Sequence, residues 1–168
     1  MVKAPILFLA VTLSVSALSG CSTDECLDNK NALPLAGFYS SEEPLQAVSL
    51  SGLTITGVGS VGDSVVNDRG SISSTYLPFK IDSDSTTFII DYLGSRLESI
   101  ADADTLTFVY DRVPWFESAA CGAMYDFRIR EIATTLHAID SVTCPAGIIT
   151  NAEGENIRVY FTVIPEYD

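Results

Sequence analysis

The sequence predicts an all-β domain, an antiparallel β-sandwich of immunoglobulin-like or similar type, with roughly seven to nine strands and little helix. Three observations predict it. Apolar and polar residues alternate with a period of two over most of the chain beyond residue 34. Turn-forming clusters separate the alternating runs at short intervals. Helical spacing occurs only at Leu97, Ile100 and Ala101, a stretch that a hairpin arm fits equally well.

The chain opens on a different pattern. MVKAPILFLAVTLSVSALSG places Lys3 before a short apolar run from Ile6 to Val15, followed by small residues, which is the layout of a secretory signal. The apolar run is well short of the ~20 residues that span a bilayer. Leu18-Ser19-Gly20-Cys21 closes it and resembles the lipobox of bacterial lipoproteins, so residues 1–20 are expected to be removed and Cys21 lipidated. Several acyl chains on one cysteine anchor firmly, each buried methylene adding about 0.8 kcal/mol. Ser22 after the cysteine resembles sorting to the outer membrane, and Thr23-Asp24-Glu25 loosely resembles an acidic surface-export signal. Residues 21–34 are polar with few apolar groups and read as a tether; residues 35–168 read as one domain.

Within that domain, strands are expected at 36–41, 46–57, 63–67 and 72–80, with turns at Gly57-Val58-Gly59 and Asn67-Asp68-Arg69-Gly70. Asp82-Ser83-Asp84 leads into a strand at 85–93. From Thr105 to Tyr110, the residues Leu106, Phe108 and Tyr110 share one face. Tyr125, Phe127 and Ile129 alternate with Asp126, Arg128 and Arg130. A strand at 138–143 ends at the turn Cys144-Pro145-Ala146-Gly147. After Asn151-Ala152-Glu153-Gly154, Ile157, Val159, Phe161 and Val163 alternate with polar neighbours. Each is a half-buried strand with one face on a core and one wet.

Size and charge bound the function. Removing 20 residues from 168 leaves 148, enough for one core without cofactor or metal. Losing Lys3 leaves 8 Lys and Arg against 22 Asp and Glu, a net of −14. Nucleic-acid partners need Lys and Arg clusters, and none is present. The same balance disfavours binding to anionic lipid through a basic patch. With Cys21 assigned to lipid, Cys26, Cys121 and Cys144 remain. Cys26–Cys121 is the first choice for a disulfide and Cys121–Cys144 the alternative, in a compartment that permits either. The longer loop contributes about 4.7 kcal/mol in the chain-entropy account. There is no Cys-x-x-Cys and His137 is the only histidine, so no zinc site is expected.

Candidate chemistry is sparse. His137, Asp140 and Ser141 carry triad residue types, but one strand segment puts His137 and Ser141 on one face and Asp140 on the other. A histidine satisfied at a strand start is the expected role. Asp82-Ser83-Asp84 and Asp102-Ala103-Asp104 offer paired carboxylates, yet neither continues into a calcium loop, and Asp commonly turns chains into strands. Trp115 and Phe116, expected just after a strand, could form a ligand platform if exposed or cap the sandwich if buried, and burial is favoured. Asp63-Ser64-Val65, Asp84-Ser85-Thr86, Asp104-Thr105-Leu106 and Asp140-Ser141-Val142 resemble acceptors of bacterial O-glycosylation, and turn-then-strand grammar also generates them.

Phe116-Glu117-Ser118-Ala119-Ala120-Cys121-Gly122, Ile132, His137-Ala138-Ile139-Asp140-Ser141-Val142 and Glu155-Asn156-Ile157-Arg158-Val159-Tyr160-Phe161 occur in order, after Cys21, Cys26 and Ser85-Thr86-Thr87-Phe88. Together they resemble a family of small uncharacterised Bacteroidetes lipoproteins grouped as a domain of unknown function. The resemblance implies pairing of Cys26 with Cys121. Cys144 and the 94–104 segment depart from the pattern, and the family brings no activity. The expectation is therefore an outer-membrane-anchored lipoprotein, non-catalytic and without cofactor, that binds a protein partner or has a structural role in the envelope. A surface glycan-binding accessory is the alternative, and a hydrolytic enzyme the weaker one.

Overall fold

The computed structural model describes residues 32–42, 46–59, 64–93, 102–118, 122–152 and 154–162. Among them are ten strands and no helix: β1 (Leu35–Ser40), β2 (Leu50–Gly57), β3 (Ser64–Ile72), β4 (Ser74–Tyr76), β5 (Ser85–Asp91), β6 (Asp104–Ser118), β7 (Gly122–Thr134), β8 (Ile139–Thr143), β9 (Ile148–Ile149) and β10 (Glu155–Phe161). They form a four-stranded sheet, β4-β1-β10-β8, and a six-stranded sheet, β3-β2-β5-β6-β7-β9. The all-β sandwich expected from the alternation is what the chain forms. β3, β4, β6 and β7 differ from expectation in extent, and one sheet contains a parallel pair.

The period-two pattern explains the core. Ala36 and Phe38 of β1, Ile139 of β8, and Ile157, Val159 and Phe161 of β10 are buried from the smaller sheet. Leu53, Ile55, Phe88, Ile90, Leu106, Phe108, Tyr110 and Phe127 are buried from the larger one. Each fully buried side chain of this size contributes about 1.5–3 kcal/mol. β1 runs parallel to β10, with Phe38 opposite Val159, so the two ends of the described chain lie side by side in one sheet. Every other strand pairing among the described residues is antiparallel.

The expected turn at Asn67-Asp68-Arg69-Gly70 lies inside β3 instead. β3 is an edge strand, and its pairing with β2 slips register repeatedly there. Arg69 takes a positive φ of 52°, and the Asn67 amide donates to the Leu53 carbonyl. The turn-forming residues are absorbed as bulges, which edges tolerate and which discourage edge-to-edge pairing.

The strand expected at 72–80 is cut to the three residues of β4. Pro78 cannot donate to a ladder, and the chain leaves the sheet at that point. Leu77 and Phe79 turn inward and are buried. Phe79 stacks on Tyr110 at 4.7 Å and meets Phe108 at 5.0 Å and Phe127 at 5.3 Å. Residues 77–80 therefore plug one end of the sandwich.

β6 and β7 run much further than the alternation at 105–110 and 125–130 indicated. Past Tyr110, β5 no longer accompanies β6, which pairs with β7 alone as far as Ser118 opposite Gly122. Pro114 is tolerated because no further strand needs its missing N–H on that flank. Trp115 and Phe116 thus lie within a strand and not after it. The helix-like spacing at Leu97, Ile100 and Ala101 falls outside the described residues.

Candidate functional site

The most concentrated polar chemistry is at the start of β6. Asp104 is in phase with Leu106, Phe108 and Tyr110, so its carboxylate points into the sandwich and is fully buried. Its Oδ1 accepts from the Thr135 hydroxyl at 2.7 Å and the His137 N–H at 2.8 Å. Its Oδ2 accepts from the Tyr92 hydroxyl at 2.7 Å and from the N–H groups of Ala138 and Ile139, each at 2.9 Å. Three successive backbone N–H groups converging on an anion form a nest. The preceding Leu136, at φ 59°, supplies the left-handed residue that turns them inward.

Electrostatics follow from this geometry. Burial alone pushes the Asp104 carboxyl upward, but the His137 and Ile139 amides and the Tyr92 and Thr135 hydroxyls outweigh it and hold it below the ordinary range. Burial and the adjacent carboxylate push the Tyr92 hydroxyl up, so it stays a donor. Both oxygens of Asp104 are fully engaged by protein donors. The group joins the β5–β6 and β7–β8 connections; it has no free lone pair for a substrate.

His137 does not lie in a strand with Asp140 and Ser141, as the sequence indicated, because β8 starts at Ile139. Its Nδ1 is 3.0 Å from the Ala103 carbonyl and 3.7 Å from Asp104 Oδ1. Ser141 donates to its neighbour Asp140 at 3.2 Å. The triad residue types are thus split between the Asp104 corner and a local pair. Asp104 itself was read from sequence as one of two turn carboxylates, which the structure corrects. The other pair behaves as a turn: Ser85 N–H donates to Ser83 Oγ, and Tyr110 N–H to the Asp84 carbonyl. Among the described residues no group of three or more His, Cys, Asp and Glu is arranged to hold a metal.

Leu136 offers a simple check. Its side chain is exposed, and a left-handed non-glycine residue costs about 1–2 kcal/mol. Leu136→Gly removes that strain, offset by about 0.5–1 kcal/mol of unfolded-chain entropy. Urea unfolding is expected to find the variant as stable as the parent or slightly more so. A clear loss would mean that the leucine side chain holds the corner.

Trp115 and Phe116 point to opposite faces of the ribbon. Trp115 is half-buried opposite Met124, which is fully buried, and its buried indole N–H has no hydrogen-bond partner among the described residues. Phe116 is 66% exposed opposite Ala123. The two do not form one platform. Cys21, Cys26 and Cys121 fall outside the described residues. Cys144 is a half-buried free thiol packed against the core, and burial pushes its titration up, which disfavours the thiolate. Of the Asp-Ser/Thr triplets, the one at Asp104 has its carboxylate buried.

The profile of a family of unknown function, DUF6452, matches residues 52–161, from β2 to the end of β10. The chain belongs to that family. Within the DUF6452 match lie the Asp104 corner, the plug and the whole β6–β7 hairpin; β1 lies before it, although it sits between β4 and β10 in the smaller sheet. No curated protein matches the chain. No solved structure matches it either.

Proposed function

We propose that this DUF6452 chain is a lipoprotein held at the outer membrane through Cys21, and that its sandwich is a non-catalytic module that binds a protein partner or serves the envelope structurally. The signal layout ending in Leu18-Ser19-Gly20-Cys21 supports the anchor. The saturation of Asp104 carries the non-catalytic part: the one buried carboxylate in contact with the histidine has five protein donors and none to spare. The glycan-binding alternative called for an exposed Trp115, and its half-burial with the N–H turned inward supports the protein-partner reading over it.

Intact mass of the protein from its own membranes, with and without reduction and alkylation, tests the address. The expected species starts at an acylated Cys21 and has two cysteines masked until reduction. A mature chain cleaved elsewhere, or an unacylated Cys21, would remove the membrane reading.

A further inference from the structure

We infer that β1 is a shear clamp through which the sandwich takes up tension from its tether, so that the domain bears load between the membrane and whatever holds it. The inference rests on the anchor at Cys21 proposed above, which makes the tether the line of pull. β1 is the strand that the tether enters, and it lies inside the smaller sheet between β4 and β10. Tension therefore acts on a strand held along both edges. On one edge β10 runs parallel to it, in unbroken register from Ala36 to Ser40. On the other, β4 pairs with Leu35, Ala36 and Gly37. Beyond β4, the Val48 N–H donates to the Phe38 carbonyl and the Ser40 N–H to the Gln46 carbonyl.

Direction decides how those bonds fail. Because the pair is parallel, Leu35 lies beside Glu155 and Ser40 beside Phe161, so the tether joins at one end of the pair and β10 finishes at the other. Pulling these ends apart slides the strands lengthwise and loads every ladder bond at once. In an antiparallel pair the two ends would be neighbours, and the bonds would open one at a time. Side chains oppose creep by register slip. Phe38 and Phe161 meet edge to face at 5.4 Å on the buried side. On the outer side the Glu155 carboxylate accepts from the Tyr39 hydroxyl at 2.7 Å and from Arg158 Nε at 2.8 Å. It lies over Gly37, where any Cβ would meet it. A slip of two residues toward the tether keeps the inward residues inward but brings Tyr39 to the place of Gly37. β1 must then rupture as a unit, and resistance to forced unfolding follows that barrier and not equilibrium stability.

Single-molecule force spectroscopy tests it on residues 22–168 without lipid, in reductant so that no disulfide at Cys26 carries the load past β1. One handle is at the N-terminus in every measurement. With the second handle at the C-terminus, β1 is sheared along β10. With the second handle on Tyr76→p-azidophenylalanine, β1 is instead peeled from β4, because Tyr76 lies opposite Leu35. That substitution keeps an aromatic ring at an exposed position, so the fold is retained. The sheared chain is expected to unfold at a force several-fold above the peeled one. A sheared force equal to or below the peeled force overturns the inference. Because the measurement uses no lipid, an unacylated Cys21 in the intact mass removes the anchor alone, and equal forces remove the clamp alone.

Discussion

Asp104→Asn is expected to cost about 2–4 kcal/mol, and Asp104→Ala more, a large part of the 5–15 kcal/mol by which domains of this size are stable. Asparagine keeps one acceptor oxygen but turns an NH₂ group toward donors that need an acceptor. With the amide oxygen in place of Oδ1, its nitrogen faces Tyr92 and the amides of Ala138 and Ile139; flipped, it faces Thr135 and the His137 amide. Either way, buried donors lose their partner, and each such loss costs about 1–3 kcal/mol. Alanine leaves all five donors without the carboxylate. Tyr92→Phe removes one donor and leaves the acceptor well supplied, so it is expected to cost about 1 kcal/mol. Urea unfolding of the three variants gives the ranking. An asparagine variant within ~0.5 kcal/mol of the parent would show that the corner is held by something other than the charge.

The same carboxylate sets an acid dependence. Its folded titration is depressed, so its contribution is fully present above the unfolded value of about 3.9 and is lost as pH falls through the lower folded value. The parent is therefore expected to lose more stability than Asp104→Asn over that acid range. Parallel acid titrations of urea midpoints check it. Curves of equal slope would mean that Asp104 titrates alike in folded and unfolded chains.

How much of this was legible depended on whether the signal was local. Alternation placed nearly every strand, since each run carries its own pattern of burial. Asp104 was legible in part: it shares the phase of Leu106, Phe108 and Tyr110, and an acid at an inward position asks for a partner. What hid its role is that four of its five donors come from residues 135–139, on the far side of the hairpin, and the fifth from Tyr92. The parallel pairing of β1 with β10 is set by burial between strands more than a hundred residues apart, as in Phe38 opposite Val159, and neither strand encodes its neighbour. Pro114 concealed the length of β6, because a proline ends a strand only when a partner needs its N–H. With the strand cut short, the opposite orientations of Trp115 and Phe116 were also lost.

The plug gives the second large expectation. Phe79→Ala is expected to cost about 3–5 kcal/mol, as for a core phenylalanine, although it lies outside any strand. Its ring contacts Phe108, Tyr110 and Phe127, so its loss opens a cavity against three rings. A closed hydrogen-bond circuit holds the backbone beneath it. Lys80 N–H donates to Thr86 Oγ1 at 2.9 Å, Thr86 and Tyr110 share a hydroxyl contact at 2.6 Å, and the Tyr110 hydroxyl donates to the Lys80 carbonyl at 2.8 Å. With each hydroxyl donating once, Thr86 must donate to Tyr110. Tyr110→Phe keeps the ring stack and opens the circuit, leaving the Thr86 hydroxyl without its acceptor and the Lys80 carbonyl without that donor, at about 1–2 kcal/mol. Both substitutions loosen the same segment, residues 77–80, so their double variant should cost less than the sum by about 0.5 kcal/mol or more. Additive costs would mean that the ring and the circuit hold the segment independently. A Phe79→Ala cost below ~1 kcal/mol would mean that residues 77–80 do not plug the core in solution.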